Sequence, residues 1–208
     1  MPCKKMLTRS IGVGVMLGIA AGAAAVPVEA QQQTRNIVLV HGAWADGSGW
    51  KGVYDELIKK GYRVSIVQQP LTSFSEDVAA VRRILSQQDG PTILVAHSYG
   101  GSVITEAGTD PIVAGLVYVA AHMPDAGRSE AEEGKRFPSA LNKSTAVKRT
   151  PDGFDYLEHS QFREYFAADL PADFADGPAR PLLLRVVAED RELHQVVHAG
   201  RRHCGRIL

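Results

Sequence analysis

The stretch Thr92-Ile-Leu-Val-Ala-His-Ser98-Tyr-Gly-Gly101 decides the fold. Thr92 to Ala96 is a short apolar run of the kind that forms a buried strand, and the residues from about Gly101 to Gly108 have the length and spacing of a helix. A serine in a sharp turn between such a strand and helix holds its hydroxyl above the sheet edge. The backbone N–H of the following residue, Tyr99, points at the same space. The turn tolerates only small neighbours, and Ala96 and Gly100 stand two residues either side of Ser98. The usual spacing is Gly-x-Ser-x-Gly, from which Ala96 is a small departure.

Outward from this turn, apolar bursts alternate with amphipathic stretches. Asn36 to Val40, Arg63 to Val67 and Val113 to Ala121 read as further buried strands. Gly49 to Lys60 reads as a helix with Val53, Leu57 and Ile58 on one face, Asp55/Lys59 and Glu56/Lys60 pairs, and Gly61 as its stop. Ser73 with Glu76 makes a capping-box pattern ahead of Val78, Val81, Ile84 and Leu85 at helical spacing. Strands separated by helix-length segments imply parallel pairing through right-handed crossovers, with helices on both faces of one sheet. From His122 to about Arg180 the pattern changes to an insertion over the sheet. Only His159 to Asp169 looks helical there, with Phe162, Tyr165 and Phe166 along one stripe. Pro181 to Ala188 reads as one more buried strand of the sheet. No internal repeat is visible.

A second feature agrees with the serine turn. His41-Gly42-Ala43-Trp44 follows the first strand directly, and Gly42 lets the backbone turn so that the N–H of Ala43 faces the same sheet end as Ser98. The Ala43 and Tyr99 N–H groups are then candidates for an oxyanion hole, with preorganised donors worth about 3 kcal/mol each. His41 reads as a hydrogen-bonded prop of the loop rather than a catalyst, and Trp44 and Trp50 as core or pocket wall.

With these motifs in place, the chain resembles the α/β-hydrolase superfamily, in particular small esterase-like members with a strand-His-Gly loop and a His-Ser-x-Gly-Gly elbow. The resemblance is strong from about Asn36 to Ala126, and 122–180 has the position of that family's cap. It implies a mostly parallel, doubly wound sheet with a cap insertion, built as a single domain over 31–208. It also implies hydrolysis of carboxylic esters or related acyl compounds, with Ser98 as nucleophile, Ala43 and Tyr99 as oxyanion donors, and no cofactor or metal. Asp190, in an Ala-x-Asp-Arg sequence after the Leu182–Ala188 run, is similar to the family's acid loop, with Asp125 as a fallback. His194, His198 and His203 follow in the family's Ser, Asp, His order. His203 is taken as the base, because a loop returning over the elbow needs length. Only 18 residues follow Asp190, and the last 33 hold six arginines and no lysine. The expectation is therefore a truncated or altered tail, with the last strand and helix incomplete. The alternative function is a catalytically silent hydrolase-fold protein that binds a small apolar ligand under the cap.

Composition narrows the remaining choices. The 208 residues carry 23 basic and 23 acidic side chains and 45% hydrophobic content, so no basic face for nucleic acid is implied and the balance is globular. The two cysteines, Cys3 and Cys204, provide neither a disulfide framework nor a Cys-x-x-Cys metal site. The expected partner is a small-molecule substrate, a membrane matters only for export, and oligomeric state is not readable. Lys4, Lys5 and Arg9 precede an uncharged run from Ile11 to Ala25, and Val28-Glu29-Ala30 offers a cleavage site. Residues 1–30 thus read as a signal peptide leading to a secreted or periplasmic product. N-terminal sequencing of protein recovered outside the cytoplasm should begin close to Gln31; an intact Met1 on cytoplasmic protein would refute the export reading.

Overall fold

The computed structural model describes residues 34–125, 128, 134–171 and the backbone of 186–187. The segment expected to act as a signal peptide lies outside the described residues. β1 (Asn36–Val40) is buried at every position, and its side chains divide between two cores as the period of two demands. Ile37 and Leu39 meet Trp50 on one side, with Tyr54 and Leu57 of α1 (Lys51–Lys59) packed against them. Val38 and Val40 join a larger core built from α2 (Phe74–Leu85) and α3 (Gly100–Ala107). A strand covered on both faces must be central. β2 (Arg63–Val67) and β3 (Thr92–Ser98) flank it and β4 (Val113–Ala121) lies beyond β3, giving the order β2-β1-β3-β4 with every pairing parallel. The doubly wound α/β architecture expected from the sequence is the one observed.

The helices follow their sequence signals with two adjustments. Asp46 accepts the Ser48 N–H at 2.8 Å and caps a single 3₁₀ turn, Gly47–Trp50, so the regular α-helix starts at Lys51 rather than at Gly49. In α2, Ser73 accepts the Glu76 N–H at 3.2 Å as an N-cap should, whereas the Glu76 carboxylate is engaged by the Thr72 hydroxyl. Acids in its first turn and arginines in its last suit the helix dipole. The stripe Phe74, Val78, Val81, Leu85 is buried, each such side chain contributing about 1.5–3 kcal/mol.

The insertion contains structure that its polar composition hides. α4 (Ala140–Lys143) begins with a reciprocal Ser139/Asn142 capping box. β5 (Val147–Arg149) and β6 (Phe154–Leu157) form an antiparallel hairpin, and α5 (Phe162–Phe166) follows a 3₁₀ turn, His159–Gln161. β5 is exposed at all three positions, which is why no apolar alternation announced it. Ala146, Leu157, Phe162 and Ala167 make a separate core, which Trp44 joins from the loop after β1.

The strand expected over 181–188 differs from the expectation. Its described part, β7 (Val186–Val187), pairs antiparallel with Phe154 and Asp155 of β6 instead of parallel with the main sheet. The hairpin offers a free edge there, and two β-branched residues satisfy it. Among the described residues nothing pairs with the outer edge of β4, where Val117 and Val119 remain exposed.

At the other end of β3 the fit is tighter. A Cβ on Gly101 would lie 2.1 Å from the His122 carbonyl oxygen and 2.9 Å from Ala121 Cβ. Gly101→Ala should therefore cost about 1–3 kcal/mol through overpacking against backbone that cannot yield. Urea unfolding measures this, and an unaltered midpoint would show that β4 can give way.

Candidate active site

The turn after β3 is made by strain and close approach together. Ser98 has φ 51°, a left-handed backbone that costs a non-glycine residue about 1–3 kcal/mol unless its surroundings impose it. The surroundings do so from two sides. On β4, Ala120 also takes a positive φ, and the pairing slips so that His97 faces Val119 while Ser98 faces Ala121. Such a bulge re-aims the residues at a strand end. The His122 N–H then donates to the Ser98 carbonyl at 3.1 Å. On the β1 side, a Cβ at Gly42 would lie 2.8 Å from Ser98 Cβ, and one at Gly100 would lie 2.6 Å from the His41 carbonyl oxygen. The loop expected to carry Ala43 and the turn carrying Ser98 and Tyr99 are thus brought into contact. Ala43 and Tyr99 are both buried. No described group accepts the Ala43 N–H.

His41 has the propping role expected of it. Its Nδ1 donates to the Gly42 carbonyl at 2.9 Å and its Nε2 accepts the Gln69 N–H at 3.2 Å, which fixes the neutral Nδ1-protonated tautomer. Burial holds its pKa below the ordinary value, only partly opposed by the Gly42 carbonyl and Asp46.

Beside this junction lies a cavity of about 260 Å³. Gly42 and His97 border it on the side of the turn, Trp50, Val53 and Val119 form apolar walls, and Phe162 and Phe166 close it from the insertion. Ser98 is next to two lining residues without lining the cavity itself. Phe166 meets the His97 ring edge-on at 6.1 Å and Phe162 at 5.1 Å, so the stripe expected along 159–169 supplies its wall. Burial lowers the pKa of His97 as well. Nothing in the sequence marks His97 as a residue that faces the cavity, because a residue at a strand end can point to either side. Trp50 serves both core and wall.

The other expected residues are not brought to this place. Asp190, His194, His198 and His203 lie outside the described residues, and Asp125 is an exposed loop residue whose carbonyl accepts the Arg128 N–H. No described side chain hydrogen-bonds the Ser98 hydroxyl. Among the described residues no group of three or more His, Cys, Asp or Glu side chains could hold a metal ion.

Two depressed imidazoles set the sign of a pH effect. When the folded pKa is lowered, the unfolded chain takes up protons first, so the stability from His41 and His97 is complete above pH 6.5 and is lost as pH falls below it. Thermal melts should show Tm dropping from about pH 7.5 to about pH 5.5, less steeply in His41→Asn. Identical slopes in the two proteins would contradict the neutral, buried state of His41.

The model of the family described as "Alpha/beta hydrolase family" matches residues 37–207. A carbendazim hydrolyzing esterase of Nocardioides sp. (strain SG-4G) is 36% identical over 108 residues, and the match spans 45% of this chain and 45% of that relative's length. A pyrethroid hydrolase of known structure is 25% identical with a TM-score of 0.55, covering 67% of this chain and 63% of that one. Tomato methylketone synthase I, complexed with 2-tridecanone, shares the fold at 18% identity and a TM-score of 0.63, over 79% of this chain and 74% of that one. The family match runs from β1 to the far end of the chain, and the sheet, crossovers and strained serine turn fall within it: the chain belongs to the α/β-hydrolase family.

Proposed function

We propose that the protein hydrolyses small carboxylic esters or related acyl compounds, with Ser98 as the nucleophile. The observation that carries this reading is the positive φ of Ser98 at the junction of β3 and α3. Strain of that kind persists where it serves an exposed hydroxyl and is otherwise removed by glycine. The close approach of Gly42 to Ser98 supports it by bringing the loop that carries Ala43 against the serine turn. In the proposed reaction the Ser98 Oγ attacks the carbonyl carbon while its proton passes to a histidine. The Ala43 and Tyr99 N–H groups hold the oxyanion, and the C–O bond to the leaving alcohol breaks as the histidine returns the proton. Water then releases the acid from Ser98 by the same steps. The candidate base is His203, taken over His194 and His198 because the loop that returns over the elbow needs length, and the candidate orienting carboxylate is Asp190.

The cavity supports an apolar substrate. Trp50, Val53, Val119, Phe162 and Phe166 offer rings and branched chains next to the turn, and a volume of about 260 Å³ suits one ring-sized group. Two relatives are named for carbendazim and pyrethroid hydrolysis, in keeping with an apolar substrate here. The experiment is turnover of short-chain p-nitrophenyl esters by the full chain. Ser98→Ala should lower kcat/KM by about a thousandfold or more. Undiminished turnover in that variant would sink the assignment, and binding of an apolar ester without turnover by the wild type would favour a ligand-binding role.

A further inference from the structure

Asp77 sits inside α2 among the residues that pack on the sheet, and it is only 1% exposed. A carboxylate in that position is costly unless its oxygens are engaged. Oδ1 accepts the Leu71 backbone N–H at 2.8 Å, and Oδ2 accepts the Tyr99 hydroxyl at 2.8 Å. Both oxygens are thus engaged, and burial strengthens such hydrogen bonds.

The two partners are not arbitrary. Leu71 has φ 54°, a left-handed backbone in a buried leucine, and Tyr99 is the residue directly after Ser98. Two positions before Leu71, the Gln69 N–H is held by His41, whose other ring nitrogen holds the Gly42 carbonyl. The segment from Gln69 to Leu71 is therefore tied to the loop of Gly42 and Ala43 on one side. Through Asp77 it is tied to Tyr99 on the other. The carboxylate completes a buried bracket that joins the two segments whose N–H groups face the reaction.

Resting on the reading of Ser98, Ala43 and Tyr99 given above, we propose that Asp77 is a positioning residue for ester cleavage. By holding the Tyr99 hydroxyl it fixes the backbone of the serine turn, and hence the aim of the Tyr99 N–H relative to that of Ala43. It touches no substrate. Its effect should fall on the transition state, because a misaimed donor weakens the hold on the oxyanion more than on the planar ester.

The test combines kinetics with amide exchange. Tyr99→Phe and Asp77→Ala should lower kcat on p-nitrophenyl butyrate by about tenfold to a hundredfold with KM changed less than about twofold. The double variant should be no worse than about threefold below the weaker single one. Asp77→Asn should recover most of kcat, since its carbonyl can accept from Leu71 while its amide donates to the Tyr99 oxygen. Hydrogen–deuterium exchange over residues 97–103 should be faster in Tyr99→Phe than in wild type, both with Ser98 present and in the Ser98→Ala background. If Asp77→Ala fails to fold, Tyr99→Phe carries the test alone. An unchanged kcat or unchanged exchange of the serine turn in that variant overturns the proposal. Turnover indifferent to Ser98→Ala overturns instead the assignment of the nucleophile, and the exchange measurement then decides whether Asp77 holds the turn.

Discussion

The loop after β1 and the turn after β3 approach each other more closely than a methyl group permits. Gly42 lies against Ser98, and Gly100 lies against the His41 carbonyl. Everything at this end of the sheet depends on that approach. Because β1 and β3 are parallel neighbours, both chains leave the sheet in the same direction, and side chains there would force them apart. With glycine at both contacts the loops can close up, and Ser98 is held in a backbone conformation it would not choose alone. The cost of that conformation is offset by the sheet beneath, where Val38, Leu39 and Val40 are fully buried.

The sheet was readable because each of its signals is local. Thr92 to Ala96 and Asn36 to Val40 are continuous apolar runs, and a strand buried on both faces has no polar face to break the run. α2 was readable from Ser73 at its start and from the spacing of Val78, Val81 and Leu85. The hairpin of β5 and β6 was not. Its first strand has no buried side, and the backbone ladder that holds it leaves no mark on side-chain choice. The pairing of Val186–Val187 is not legible for a related reason: an apolar run shows that a strand exists, and the identity of its neighbour is a long-range matter.

The site was legible to the same degree. Ser98, Gly42 and Gly100 announce themselves through motif spacing, since the constraint on them is steric and acts within a few residues. The cavity wall drew on Phe162 and Phe166, whose stripe was visible while its destination was not. Asp77 carries a signal of its own in the sequence. Counting from Phe74 at helical spacing, position 77 falls on the stripe that Val78, Val81 and Leu85 continue, and a carboxylate there has to have a partner. What the count could not provide was the partner's name, because Tyr99 is 22 residues away in sequence.

Electrostatics connect these pieces. The cavity walls are mostly apolar, and in such surroundings a backbone N–H acts on a developing negative charge far more strongly than in water. That benefit depends on neighbouring groups that stay in one charge state. His41 satisfies the requirement by being neutral, since a proton on Nε2 would displace the Gln69 N–H and release the segment that leads to Leu71. Asp77 lies at the hydroxyl end of Tyr99, away from the backbone of the serine turn, with each of its oxygens engaged by a donor. The bracket from Gly42 through His41, Gln69, Leu71 and Asp77 to Tyr99 is thus a run of hydrogen bonds and one short chain segment that ties the loop after β1 to the serine turn, and it holds only while Nε2 of His41 stays free to accept.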